Sequence, residues 1–178
     1  IGGLGADLPS NQNLLIMAQY DIWATARLTQ SLQPISGEDF HKDLGLFFKS
    51  IAGTLNHLLL GEHYLWFSRF KEGTSPTIAL DTILHLDKNT LLNEFNLKSQ
   101  NWIDFIQQLD DERLKGQLTY RRVNGEQLTL PFAATLMHVF NHGTHHRGQI
   151  TAALTMMGYP CPELDLVYML AEQARTQS

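Results

Sequence analysis

Residues 131–158 read PFAATLMHVFNHGTHHRGQITAALTMMG, an apolar run that opens on Pro131, closes at Gly158 and carries four of the chain's eight histidines. Ala133, Leu136, Phe140 and Ile150 recur at helical spacing, and a leading proline with a trailing glycine marks the two ends of a helix. On such a helix each residue advances by about 100°, so His142 and His146 lie about 40° apart, one turn separated. Two imidazoles so placed can grip one transition-metal ion, but they rarely hold it alone. A further ligand must come from another helix, so the fold has to bring a second helix against this one.

Working outward, three more long segments have the same period. One runs from about Asn13 to Leu32, with Leu14, Met17, Tyr20, Ala24 and Leu28 in register, and stops at Pro34 and Gly37. A second spans about Leu44 to Phe70, through Phe47, Phe48, Ile51, Leu55, Leu58, Leu59, Leu65 and Trp66, and breaks at Gly73 and Pro76. A third covers about Leu86 to Leu109. Before the fourth, the period changes to two: 118–123 and 126–130 flank Asn124-Gly125, the dipeptide preferred in type I′ hairpins, which predicts a two-stranded ribbon. After Pro160-Cys161-Pro162 a short helix is expected over about Glu163 to Ala174. The reading is an all-α, antiparallel four-helix bundle, with a short β-hairpin before the fourth long helix and a short C-terminal helix.

Composition narrows the function classes. At 178 residues, 43% hydrophobic and 17% charged, the chain reads as one globular domain over residues 1–178, with 1–10 as a flexible arm. A net charge of −5 with scattered Lys and Arg argues against a nucleic-acid partner. No apolar run reaches the roughly 18 residues of a membrane span. The single Cys161 excludes an intrachain disulfide, and between two prolines without a basic neighbour it reads as incidental. That usage fits a reducing cytoplasm.

The second helix offers two partners for the His142/His146 pair, His57 and His63. They stand about 120° apart around the helix and cannot share one metal. His57 is flanked by apolar residues, which favours it slightly, but spacing leaves both open. Glu62 lies about 140° from His57 and reads as a structural pairing. His145 is about 60° from His142 and reads as a rim or interface residue. His138, one turn before His142, is either a hydrogen-bonding partner of a ligand or an ordinary bundle histidine. Gly143 stands where a zinc-protease helix carries its glutamate base, which removes the peptidase reading, and its lack of a side chain suits close helix approach. Arg147 reads as a salt-bridge partner near the helix end, Gln149 as a surface amide, and Tyr20, Trp23 and Trp66 as core aromatics.

Three stretches, 20–28 (YDIWATARL), 56–66 (NHLLLGEHYLW) and 138–150 (HVFNHGTHHRGQI), resemble in order the motifs of the DinB-like family of damage-inducible four-helix-bundle proteins. The third is the most specific. In the first stretch Asp21 and Thr25 depart from the family pattern, standing where asparagine is common. The resemblance implies His57, His142 and His146 as ligands of a divalent transition metal, zinc or nickel, and implies a homodimer. Three imidazoles leave a coordination position open, as catalytic sites do. The family includes bacillithiol transferases and mycothiol-dependent maleylpyruvate isomerase. The resemblance therefore implies a metalloenzyme in which a low-molecular-weight thiol attacks a small electrophile. That chemistry needs no carboxylate base. The alternatives are a metal-dependent hydrolase and a non-catalytic, metal-stabilised stress-response module.

Overall fold

The computed structural model describes residues 10–177, so all of the expected N-terminal arm except Ser10 lies outside the described residues. Helix α1 covers Asn11–Leu32 and is capped by Ser10, whose side chain accepts from the Asn13 amide. A short α2 (Gly37–His41) leads to α3, Ile51–Leu59, which continues as π-helix through Leu60–Trp66 and Ser68–Glu72. The third long segment is two helices, α4 (Lys88–Ser99) and α5 (Asn101–Gln107). After α6 (Asp111–Lys115), strands β1 (Gln117–Arg121) and β2 (Gln127–Pro131) pair antiparallel and feed α7 (Phe132–Met156). The chain closes with α8 (Leu166–Thr176). Among the described residues no helix is long and apolar enough to cross a membrane.

The bundle with its hairpin and C-terminal helix is the architecture expected, with three local differences. The second helix starts at Ile51 and not near Leu44. Gly45 and Lys49 adopt positive φ (73° and 70°), Leu46 bridges to Lys49, and Ser50 then caps the helix by accepting from Gly53 N at 2.9 Å. Phe47 is consequently exposed rather than in the core. The hairpin loop is longer than a two-residue type I′ turn. Gly125 N donates to Arg122 O, only Gly125 has positive φ there, and Arg122 N donates to Glu126 O. Asn124-Gly125 thus ends a three-residue loop with glycine in the left-handed position.

The third difference is direction. Along α3 and its extension, Asn56, His63 and Phe67 meet His85, Phe95 and Trp102 in ascending order, so α3 runs parallel to α4 and α5. Leu14 shares a core cluster with Phe140, and Leu28 and Leu32 share another with Ile150 and Leu154, so α1 and α7 are parallel too. Antiparallel packing holds for α1 against α4–α5 and for α3 against α7. Residues 73–87 make this possible, because a 15-residue extended strap reaches about 50 Å, more than the roughly 30 Å length of the helix it returns along.

Two apolar clusters fill the bundle. One gathers Leu28, Leu55, Leu92 and Leu154, the other Trp102, Phe105, Phe132 and Phe140. Between them along α1, α3 and α7 lies a buried polar layer of Asp21, Glu62, His63 and Arg147. The strap is fastened by Asn56. Its Oδ1 accepts from the Leu84 and His85 amides (2.8 and 3.0 Å), while Nδ2 donates to the Ala52 and His85 carbonyls (2.9 and 3.1 Å). Asn56→Ala strands these strap groups, so we expect a stability loss of about 1–3 kcal/mol in urea unfolding. A variant as stable as the parent would contradict this role.

Candidate metal centre

The structure brings His57 of α3 together with His142 and His146 of α7. His142 Nε2 lies 3.1 Å from the Nε2 of both His57 and His146. Each outer imidazole is oriented through its other nitrogen. His57 Nδ1 donates to the Leu80 carbonyl at 2.9 Å, and His146 Nδ1 donates to Gln149 Oε1 at 2.8 Å. With both protons on Nδ1, the two outer Nε2 atoms carry lone pairs, and both face the single Nε2 of His142. One N–H on His142 can satisfy only one of them. A cation satisfies all three: nitrogen ligands about 2.0–2.1 Å from a tetrahedral ion stand about 3.3 Å apart. The donor set therefore fits a divalent transition metal.

The electrostatics agree. Burial lowers the pKa of His57 against the help of the Leu80 carbonyl, and lowers that of His146 against Gln149. His142 is pushed down to about 3 by burial and then by the neighbouring histidines. All three are neutral at neutral pH, the form that binds metal.

Phe48 stacks on His57 with centroids 3.9 Å apart and planes 15° from parallel. The strap supplies Leu80, so the residues that aim His57 come from 9 positions before it and 23 after. Neither was foreseen. Gln149, expected as a surface amide, is the partner of His146; its i+3 spacing on the helix was the available signal.

The remaining candidates fall into place around the cluster. His145 is exposed and lies beside His146, its ring 4.9 Å away, without joining the convergent nitrogens. His138 lines the cavity next to His142. Trp66, expected in the core, also lines that cavity. Tyr20 is buried in the core as expected, packed with Ala24 and Met169, and with Trp23 it holds the C-terminal segment, the two donating to the Leu164 carbonyl and to Glu172. Cys161 is exposed.

Glu62 faces away from the three histidines into the polar layer, as does His63. Arg147 Nη1 donates to Asp21 Oδ1 at 2.8 Å, and both side chains are almost wholly buried, so this ion pair is internal and not at a helix end. Burial raises the Asp21 pKa against the pull of Arg147, and raises that of Glu62 well above the usual range, with Asp21 adding to the effect. Gly143 is forced by this layer. A Cβ there would stand 2.5 Å from Glu62 Oε1 and 3.0 Å from Arg147 Nη1. Gly61 lies against the same contact, but a Cβ there would stand 3.5 Å from His142 Cε1, an ordinary van der Waals distance. The π-helical winding between Leu60 and Trp66 passes through this contact, a geometry that often marks functional sites.

Next to the histidines opens a cavity of about 820 Å³. Its lining includes His57, His138 and His142 together with Arg69, Tyr120 and Arg122. Among the described residues no Asp or Glu lines it.

His63 gives the site region a pH signature. Its ring packs edge-on against Phe95 with neither nitrogen hydrogen-bonded, and burial, then Lys98, lowers its pKa from 6.5 to about 3. The unfolded chain takes up a proton below about pH 6.5 that the folded chain refuses, so stability falls as pH drops from there towards 3. The slope from this group is at most about 1.4 kcal/mol per pH unit. His63→Leu should flatten the stability curve between pH 6.5 and 4 in denaturant titrations; an unchanged slope would contradict the assignment.

The chain matches the DinB family model over residues 10–177. It is 30% identical over 154 residues to "Protein DinB" of Bacillus subtilis (strain 168), covering 83% of this chain and 87% of that relative. Two solved structures share the fold. YfiT from Bacillus subtilis, described as a probable metal-dependent hydrolase with an unusual four-helix bundle topology, aligns with a TM-score of 0.66 at 15% identity, over 90% of this chain and 95% of that one. A DinB-like protein from Bacillus cereus ATCC 10987 aligns with a TM-score of 0.65 at 16% identity, over 88% and 99%. The motifs that meet at the three histidines are thus carried by a sequence match spanning the described bundle, and the chain belongs to the DinB family.

Proposed function

We propose that this protein is a metal-dependent hydrolase whose divalent ion, zinc or nickel, is held by His57, His142 and His146. The observation that carries the reading is the cavity of about 820 Å³ that reaches two of the three imidazoles. A structural metal is closed off by four protein ligands, whereas three ligands beside an open cavity leave room for water and substrate. The fold shared with YfiT, itself described as a probable metal-dependent hydrolase, supports the same class.

A divalent ion in this position supplies Lewis acidity, polarising an acyl group and making water nucleophilic near neutral pH. The chain supplies the proton chemistry. His138 stands on the cavity wall one turn before His142, close enough for their rings to lie 5.7 Å apart. Glu62 is buried in the polar layer and does not line the cavity, so His138 is the base suited to the task. Water's oxygen adds to the acyl carbon, and the bond to the leaving oxygen or nitrogen breaks. The proton that water gives up passes through the His138 imidazole to the leaving group. Leu80, through its carbonyl, and Gln149 keep the Nδ1 protons of His57 and His146 in place, which holds both Nε2 lone pairs inward.

Thiol transfer is the second reading, favoured by the lack of any carboxylate on the cavity wall. One experiment separates the two. Metal-reconstituted protein is offered a panel of esters and amides, and in parallel a thiol with 1-chloro-2,4-dinitrobenzene. Hydrolysis should be abolished by chelation, and His138→Ala should lower kcat by about 10²–10⁴-fold with metal content unchanged. Thiol conjugation without hydrolysis, or hydrolysis indifferent to chelation, would overturn the hydrolase reading.

A further inference from the structure

The cavity that the histidines line also holds a buried cation with no acidic partner among the described residues. Arg69, on the π-helical extension of α3, is 6% exposed. Its guanidinium lies between the rings of Trp66 and Tyr120, 4.6 Å from each centroid. Nη2 donates to the Arg121 carbonyl at 3.2 Å, and Nε is buried with no partner. Among the described residues Arg69 takes part in no ion pair with Asp or Glu. Burying a guanidinium this way is costly, and two aromatic faces offset only part of the cost.

The surroundings increase the positive potential. Arg122, from the hairpin loop, lines the same cavity; it is half-exposed and paired with Glu126 at 2.9 Å. Among the described residues none that lines the cavity is acidic, and a divalent cation at the histidines would add further positive charge. Between the two ends, Leu65, Trp66 and Leu128 give an apolar wall. Low-dielectric walls with charge of one sign concentrate the field on an entering anion. A planar guanidinium with a free N–H is the group suited to holding a carboxylate.

We propose that the cavity takes a small amphiphilic carboxylate: the carboxylate at Arg69, the apolar body against Trp66 and Leu128, and the reacting acyl group at the histidine end. This rests on the hydrolase reading for what happens at the far end, but not for the binding of the anion. Arg69 is thereby the specificity-determining residue of the site, and Arg122 a weaker contributor at the rim. The volume of about 820 Å³ suits a substrate of this size.

The test is calorimetry on metal-loaded protein with two probes of one shape, 4-phenylbutanoate and 4-phenylbutan-1-ol. The acid should bind at least about tenfold more tightly than the alcohol, with a preference that shrinks in high salt. Arg69→Met, checked for intact fold by circular dichroism, should abolish the preference, and Arg69→Lys should restore part of it. Equal binding of acid and alcohol by the unmodified protein overturns the proposal without need of any variant. So does a preference that survives in folded Arg69→Met, which would mean that the carboxylate sits on the metal. An arm with 4-phenylbutylphosphonate distinguishes the anions: binding of the phosphonate with loss of the carboxylate overturns the carboxylate assignment.

The catalytic arm compares 4-nitrophenyl hemisuccinate with 4-nitrophenyl butyrate. The hemisuccinate should have the higher kcat/KM, and Arg69→Met should raise the KM of the hemisuccinate many times more than that of the butyrate. Equal turnover of both esters, indifferent to Arg69, overturns this inference and leaves the hydrolase reading standing. Turnover of neither, with Arg69-dependent binding of 4-phenylbutanoate retained, overturns the hydrolase reading and supports the anion site.

Discussion

The close approach of α3 and α7 at Gly61 and Gly143 is the constraint on which the rest of the structure depends. At Gly143 there is no space for a methyl group, because Glu62 and Arg147 occupy it; at Gly61 the His142 ring lies against the bare backbone. This approach sets His57 of one helix 3.1 Å from His142 of the other, nitrogen to nitrogen. Helices packed through ordinary side chains stand about 8–10 Å apart, and small residues at the contact bring them to the near end of that range. The buried ion pair of Asp21 and Arg147 then ties α1 to the same level of α7. Asp21 gains its meaning here. It compensates the charge of Arg147 in a layer with no water-exposed alternative.

Polar groups in the core are placed on two sides of this contact with different consequences. On the side of α1 Asp21 pairs with Arg147, while Glu62, without a hydrogen-bond partner, holds its proton to an unusually high pH because burial and Asp21 both disfavour its charge. On the cavity side they are left with unused capacity. Three imidazole lone pairs converge with at most one proton among them, and the Arg69 guanidinium lacks an acidic partner. What distinguishes the cavity side is access: His57, His142 and Arg69 line an open cavity, whereas the polar layer is enclosed in the core, so ligands are expected on the cavity side.

Much of this was legible in the sequence, for identifiable reasons. The helical period of the long segments, the Pro131 and Gly158 boundaries and the i,i+4 pair His142/His146 are local features, and they revealed the bundle and two of the three clustered histidines. The choice of His57 over His63 was not local. Six residues at about 100° each separate them on an ideal helix, but the chain winds as π-helix from Leu60, and only the family resemblance selected His57. The parallel course of α3 and α4 was hidden as well, because periodicity carries no direction and the strap of 73–87 has no period to read. The start of α3 was misjudged for a different reason. Phe47 and Phe48 extend the apolar pattern, yet positive φ at Gly45 and Lys49 turns the chain before Ser50 can cap it. That turn is what frees Phe48 to stack on His57.

The central claim is that three imidazoles, and no carboxylate, hold one divalent ion with a position left open. X-ray absorption at the metal K-edge of zinc-loaded, untagged protein tests it most directly. The account predicts one zinc per chain with three imidazole nitrogens at about 2.0–2.1 Å and a remaining light-atom ligand that exchanges with added anions. A shell containing a fourth protein ligand, or one with fewer than three imidazoles, would contradict it.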